Sequence, residues 1–175
     1  MILRIRFILR LGFSLVMTRV ASLQTSIFCR SSCARFFINL SETTTEAMAI
    51  KTAAKINDGS IYIEWSVNEK AAMELAAGAS YAGARSMVTM KQVGLNVASD
   101  PLMSLEYVGI KGGMVILVAD DPGPISSQTE QDTRHFSRFS KLPCFDPSSA
   151  QEAYEMIQEA FEYSEKYGTP VFLRP

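Results

Sequence analysis

Apolar positions along the chain alternate between two spacings. From about Ala47 onward, short β-branched or aromatic runs are separated by longer Ala- and Glu-rich stretches whose apolar residues recur at helical intervals. The short runs predict strands near Ile61–Trp65, Ser86–Met90, Met114–Ala119, Pro143–Phe145 and Pro170–Leu173. The longer stretches predict helices near Val67–Ala84, Ser99–Val108, Glu130–Lys141 and Ser149–Tyr167.

Met114-Val-Ile-Leu-Val-Ala119 shows no polar alternation, as expected of a strand in a parallel sheet whose two faces are both covered by helices. The expected fold is therefore α/β, a parallel β-sheet of about five strands with helices on both faces. The last helix has clear punctuation: Ser148 and Ser149 are cap candidates with Glu152 following, Gly168 marks the stop, and Pro170 lies beyond.

Charge divides the chain. Its first 40 residues hold six Arg and no Asp, Glu or Lys, whereas the remainder carries 11 basic and 18 acidic residues. An Arg-rich, Ser-containing, acid-free leader reads as an organelle transit peptide or as the product of a misplaced start codon. Residues 1–46 are accordingly expected to be irregular or helical and outside the core, with 47–175 as the folded module. Arg10 and Arg19 cut the apolar stretches well below the roughly 18 residues a membrane-spanning helix needs. Arg10 also interrupts the apolar region a signal peptide requires.

The formal charge of -1 and pI near 5.9 exclude the basic excess that phosphate-backbone binding demands, so neither nucleic acid nor membrane is an expected partner. Three cysteines, Cys29, Cys33 and Cys144, are too few for a disulfide framework and fit a reducing, cytoplasmic location. Cys29 and Cys33 stand as C-x3-C without a second ligand pair, so no metal site is expected there.

Ligands of open parallel sheets bind beyond the carboxyl ends of the strands, which directs attention to the segments after Trp65, Met90 and Ala119. After Trp65 comes Ser66-Val-Asn-Glu69 and a small-residue helix. Glu69 has two readings: the far member of a capping box with Ser66, or a carboxyl held on an apolar face with Ala72, Met73 and Ala76, able to exchange a proton with a ligand nitrogen. After Met90, Lys91-Gln-Val-Gly-Leu-Asn96 reads as a plain strand-to-helix turn or as a ligand-bordering loop in which Gly94 permits close approach. It is no phosphate loop, since neither G-x-G-x-x-G nor G-x-x-x-x-G-K-[ST] occurs. After Ala119, Asp120-Asp-Pro-Gly-Pro124 reads first as a rigid turn and second as a weak Mg2+ candidate. His135, the sole histidine, is read as a surface residue, since no Gly-x-Ser-x-Gly elbow accompanies it.

Four longer words lie in order over these segments: Tyr62-Ile-Glu-Trp-Ser-Val-Asn-Glu-Lys70, Val88-Thr-Met-Lys-Gln-Val-Gly-Leu-Asn-Val-Ala98, Ala119-Asp-Asp-Pro-Gly-Pro124 and Ser126-Ser-Gln-Thr-Glu-Gln-Asp132. With the Ala-rich helix that ends in Ala84-Arg85, they resemble the pyrimidine-binding module of thiamine diphosphate enzymes. More closely, they resemble the alpha subunits of indolepyruvate ferredoxin oxidoreductases, within the 2-oxoacid:ferredoxin oxidoreductases.

That resemblance implies that Glu69 is catalytic, its carboxyl bonding N1' of the aminopyrimidine. It implies that Gln92, Val93 and Gly94 border the cofactor, and that Asp121, Gln128 and Arg134 lie toward the substrate. The implied activity is oxidative decarboxylation of aryl pyruvates to arylacetyl-CoA, with electrons passed through 4Fe-4S clusters to ferredoxin. Members of the family commonly have His where this chain has Ile125. They also open with a Gly-Tyr-Pro-Gly-Thr-Pro-type loop that residues 1–46 lack, so the module is expected to be incomplete at its N-terminal edge.

The Gly-Asp-Gly then Asn pattern that binds diphosphate and Mg2+ does not occur in the 175 residues, nor does a Cys-rich cluster region. The expected partners are therefore a diphosphate-binding module and a beta subunit, with coenzyme A and ferredoxin in the full assembly. The alternative is a catalytically silent α/β module with an interaction or regulatory role, in which Glu69 merely caps a helix.

Overall fold

A computed structural model describes residues 36–40 and 61–175, except Pro122, Ile125 and Ser126. Its strands are β1 (Phe36–Leu40), β2 (Ile61–Trp65), β3 (Arg85–Lys91), β4 (Met114–Ala119), β5 (Cys144–Phe145) and β6 (Val171–Leu173). Its helices are α1 (Glu69–Tyr81), α2 (Gln92–Val97), α3 (Ser99–Val108), α4 (Thr133–Ser140) and α5 (Ala150–Tyr167). The strands form one sheet in the order β2-β1-β3-β4-β6-β5, and every pairing is parallel.

The parallel α/β expectation is met. Met114, Ile116 and Val118 of β4 pack with Ala72, Met73 and Ala76 of α1 and Leu102 and Leu105 of α3. Val115 and Leu117, pointing the other way, pack with Ile157, Ala160 and Phe161 of α5. Alternate residues of one strand thus enter two separate cores, which is why β4 shows no polar alternation.

Two elements differ from expectation. Phe36–Leu40 does not lie outside the core in an irregular or helical leader: its backbone pairs with β2 on one side and β3 on the other, which makes six strands instead of about five. The reason is physical. An interior parallel strand carries few charges, so a leader defined by its lack of acidic residues and a strand defined by apolar, β-prone residues look alike in composition. The second is α2, which turns the segment after β3 into a short helix that begins as soon as the strand ends.

Small side chains bring α1 close to the sheet, where Ser80 is fully buried and donates its hydroxyl hydrogen to the Gly112 carbonyl. Gly112 returns the contact, its N–H donating to the Ser80 carbonyl at 2.8 Å. A Cβ at Gly112 would meet the Ala84 carbonyl oxygen at 2.2 Å, so only glycine fits this crossing.

On the other face Phe161 is fully buried, with the Arg85 guanidinium 5.6 Å from its ring centroid and Glu165 of the same helix paired to that Arg. Phe161→Ala should cost about 3–5 kcal/mol in urea unfolding, as removal of a core aromatic does. A loss below about 1 kcal/mol would mean that α5 does not seal this face.

Candidate functional site at the carboxyl edge of the sheet

The first loop after β2 ends in a helix cap, but not the expected one. Asn68, extended at φ -163° and ψ 173°, accepts the Ala71 N–H on its side-chain oxygen at 2.8 Å. The Ser66/Glu69 capping box is thereby corrected: α1 starts two residues later than Val67, and Glu69 is its first residue. Ser66 and Asn68 are both good cap formers, and Asn68 takes the position because its oxygen reaches the third N–H ahead of it.

Relieved of that task, the half-buried Glu69 lies against Gly94 of α2. A Cβ placed on Gly94 would sit 2.6 Å from Glu69 Cγ, 2.8 Å from Oε1 and 3.0 Å from Cδ. The missing side chain at Gly94 is the space that the Glu69 side chain occupies. Two of the segments singled out from the sequence therefore converge on one contact.

Gln92 opens α2 and is almost completely buried, at 1% exposure. Its Nε2 donates to the Thr129 carbonyl at 3.1 Å, tying the turn after β3 to the loop after β4. Val93 follows, half-buried, in the first turn of α2.

The third segment is fastened at its base. Asp120, whose side chain is only 4% exposed, accepts hydrogen bonds from the Thr133 N–H at 2.8 Å, from the Thr133 hydroxyl and from Arg174. Arg174 also donates to Asp146 at 2.8 Å. Burial pulls the Arg174 guanidinium down, but the hydrogen bonds to Asp120 and Asp146 outweigh it and hold the group above its ordinary value. Asp121 accepts the Ser127 N–H at 2.8 Å, and Gln128 next to it is exposed. These contacts favour the turn reading of the paired aspartates. Among the described residues no group of three His, Cys, Asp or Glu side chains is placed to hold a metal ion.

Arg134 is exposed at the start of α4, its guanidinium bonded to Asp132 at 2.6 Å and lying 3.7 Å from Asp146. The Arg134 side chain holds the Asp132 carboxyl well below the usual carboxylate range. The structure therefore joins Glu69 to Gly94 and Gln92 to the loop, but commits Arg134 to an acidic cluster near the β5 edge. His135 is exposed, as read. Ile125, Cys29 and Cys33 fall outside the described residues.

The sequence reading assigns no role to Arg174 and does not mark Asp120 as a buried anchor. A charged residue directly after the last buried strand was the one available signal for Arg174, because in a parallel sheet that position joins the functional edge.

The chain matches the family model described as pyruvate flavodoxin/ferredoxin oxidoreductase, thiamine diphosphate-binding, over residues 42–174. It belongs to that family. The resemblance drawn from the four sequence words is thereby borne out. Curated family members include the indolepyruvate oxidoreductase subunit IorA of Methanothermobacter thermautotrophicus, 56% identical over 114 residues, covering 65% of this chain and 18% of that protein. The IorA subunit of Pyrococcus horikoshii is 52% identical over 132 residues, covering 75% of this chain and 19% of that protein. The chain thus spans about a fifth of the length of these relatives.

Among solved structures, a 2-oxoglutarate:ferredoxin oxidoreductase from Magnetococcus marinus, with 2-oxoglutarate, coenzyme A and succinyl-CoA bound, superposes with TM-score 0.68 at 18% identity. The match covers 94% of this chain and 27% of that one, and it supports the fold. Among the described residues no helix is long and apolar enough to cross a membrane.

Cys144 provides a check on the edge's electrostatics. Burial, reinforced by the negative charge of Asp146, pushes its thiol up to about 11. Its alkylation by iodoacetamide at pH 8 should be roughly 100-fold slower than that of an unfolded-chain thiol, since the thiolate is the nucleophile. Peptide mapping separates it from Cys29 and Cys33, and labelling at the unfolded rate would contradict the burial described.

Proposed function

We propose that this chain supplies the pyrimidine-facing wall of a thiamine diphosphate site in an indolepyruvate-type 2-oxoacid:ferredoxin oxidoreductase. The observation that carries the proposal is the Glu69 carboxylate lying across a glycine at the carboxyl edge of a parallel sheet. Two features of the structure fit the cofactor: Gly94 gives the Glu69 side chain room at the edge where a flat ring would approach, and Gln92 offers a buried carbonyl oxygen with no partner.

When bound, thiamine diphosphate supplies the carbon nucleophile and electron sink for decarboxylating a 2-oxo acid. The chain's own contribution is proton management and placement. Glu69 would hold a proton between its Oε and the pyrimidine N1'. Gly94 keeps the carboxylate from being pushed aside. The 121–131 loop, fixed by Asp120 below and by Gln92 above, would form the substrate side, with Asp121 and Gln128 on it.

Diphosphate and Mg2+ would be held by a separate module, and the 4Fe-4S clusters, ferredoxin and coenzyme A would be handled elsewhere in the assembly. Aryl pyruvates are the proposed substrates, after the indolepyruvate in the names of the two relatives.

The alternative of a silent module rests on Glu69 serving as a cap, and the cap is Asn68. The two residues should therefore separate cleanly on mutation. Asn68→Ala should lower stability by about 1 kcal/mol in urea unfolding. Glu69→Gln should leave stability within about 0.5 kcal/mol yet lower turnover of the assembled enzyme by about 10²-fold or more, the scale of a lost general acid–base group. Unchanged turnover in Glu69→Gln would remove Glu69 from the chemistry.

A further inference from the structure

Four side-chain atoms among the described residues are buried and lack a hydrogen-bond partner: Ser86 Oγ, Gln92 Oε1, Ser127 Oγ and Gln131 Oε1. Buried polar atoms are nearly always paired, so unpaired ones call for a physical reason. Ser86 lies near the start of β3, away from the carboxyl edge. The other three belong to segments joined at that edge: Gln92 opens α2, and Ser127 and Gln131 each stand two residues from Thr129, whose carbonyl receives Gln92 Nε2.

That bond also fixes which way the Gln92 amide faces. Thr129 presents a carbonyl, which can only accept, so the amide must turn its nitrogen there and its oxygen the other way. With 1% exposure, Gln92 Oε1 gets little help from bulk water. The Gln131 atom is likewise an acceptor, and the Ser127 hydroxyl can take either role.

A cluster dominated by acceptors disfavours a carboxylate or phosphate, which would bring more acceptors. It also lacks a ready carboxylate for a cation, because Asp120 is engaged by Thr133 and Arg174, and Asp121 by the Ser127 N–H. The matching chemistry is a neutral N–H or O–H.

We propose that Gln92 Oε1, Ser127 Oγ and Gln131 Oε1 form a subsite for a neutral hydrogen-bond donor on the bound molecule, with Gln92 as the residue that reads it. This rests on the proposed thiamine diphosphate site for the molecule that fills the cleft. Two groups there share the required chemistry, the exocyclic amine of the cofactor's pyrimidine and the ring N–H of an indole-bearing 2-oxo acid.

Calorimetric titration of the assembled enzyme carrying this chain, with Mg2+ present and no coenzyme A or ferredoxin added, tests both sources. The first arm compares thiamine diphosphate with oxythiamine diphosphate, in which oxygen replaces the exocyclic amine. The second adds indole-3-pyruvate or its N-methyl analogue to the cofactor-loaded assembly. Wild type should prefer the donor-bearing member of one pair by about tenfold, the effect of one neutral hydrogen bond. Gln92→Met should erase that preference, and the pair affected identifies the source.

If Gln92→Met does not fold, Gln131→Leu should reduce the same preference. Equal discrimination by wild type and variants in both arms, or none in wild type, overturns the subsite while leaving the Glu69 site intact. Failure of the wild-type assembly to bind thiamine diphosphate at all overturns the proposed function, and the subsite with it.

Discussion

Because Met114, Ile116 and Val118 pack against α1 and α3 while Val115 and Leu117 pack against α5, β4 has no face left for water. That double burial governs where chemistry can occur. Polar groups placed along the strands would have to be desolvated, so they collect where the strands end and the backbone turns. Glu69, Gln92, Asp120 and Arg174 are four products of the same constraint. Each is attached to a rigid element, which gives the edge a precision that free loops lack.

Within that edge, Asn68 and Gly94 have complementary effects on Glu69. Asn68 satisfies the helix end, so the carboxylate beside it is not consumed as a cap. Gly94 removes the side chain that would otherwise occupy its position. The loop after β4 is handled differently, with a buried ionic base at Asp120–Arg174 and a single amide tether from Gln92 higher up. A buried charge pair of this kind is costly to break from one side, which makes it a firm footing for the loop.

Much of this was legible in the sequence because parallel sheets write plainly. An unbroken apolar run such as Met114–Val118 gives strand and burial together, and the Ala-rich stretch after Glu69 gives a closely packed helix. Glu69 and Gly94 were both singled out, yet their contact was not, since it joins residues in different loops. The pairing of Arg174 with Asp120 was not legible for a similar reason, since the two are 54 residues apart. The cap was misplaced because the Ser66–Glu69 spacing satisfies a local rule that Asn68 satisfies better in three dimensions. β1 was hidden by composition, and α2 by its glycine, which marks a turn as readily as a six-residue helix.

The central claim is that the Glu69 carboxylate faces a cofactor nitrogen across Gly94. An experimental structure of the assembled enzyme with thiamine diphosphate bound tests it directly. The account predicts a Glu69 oxygen about 2.6–3.0 Å from the pyrimidine N1', within hydrogen-bonding distance. A ring nitrogen bonded to some other acid, with Glu69 turned to solvent, would contradict it.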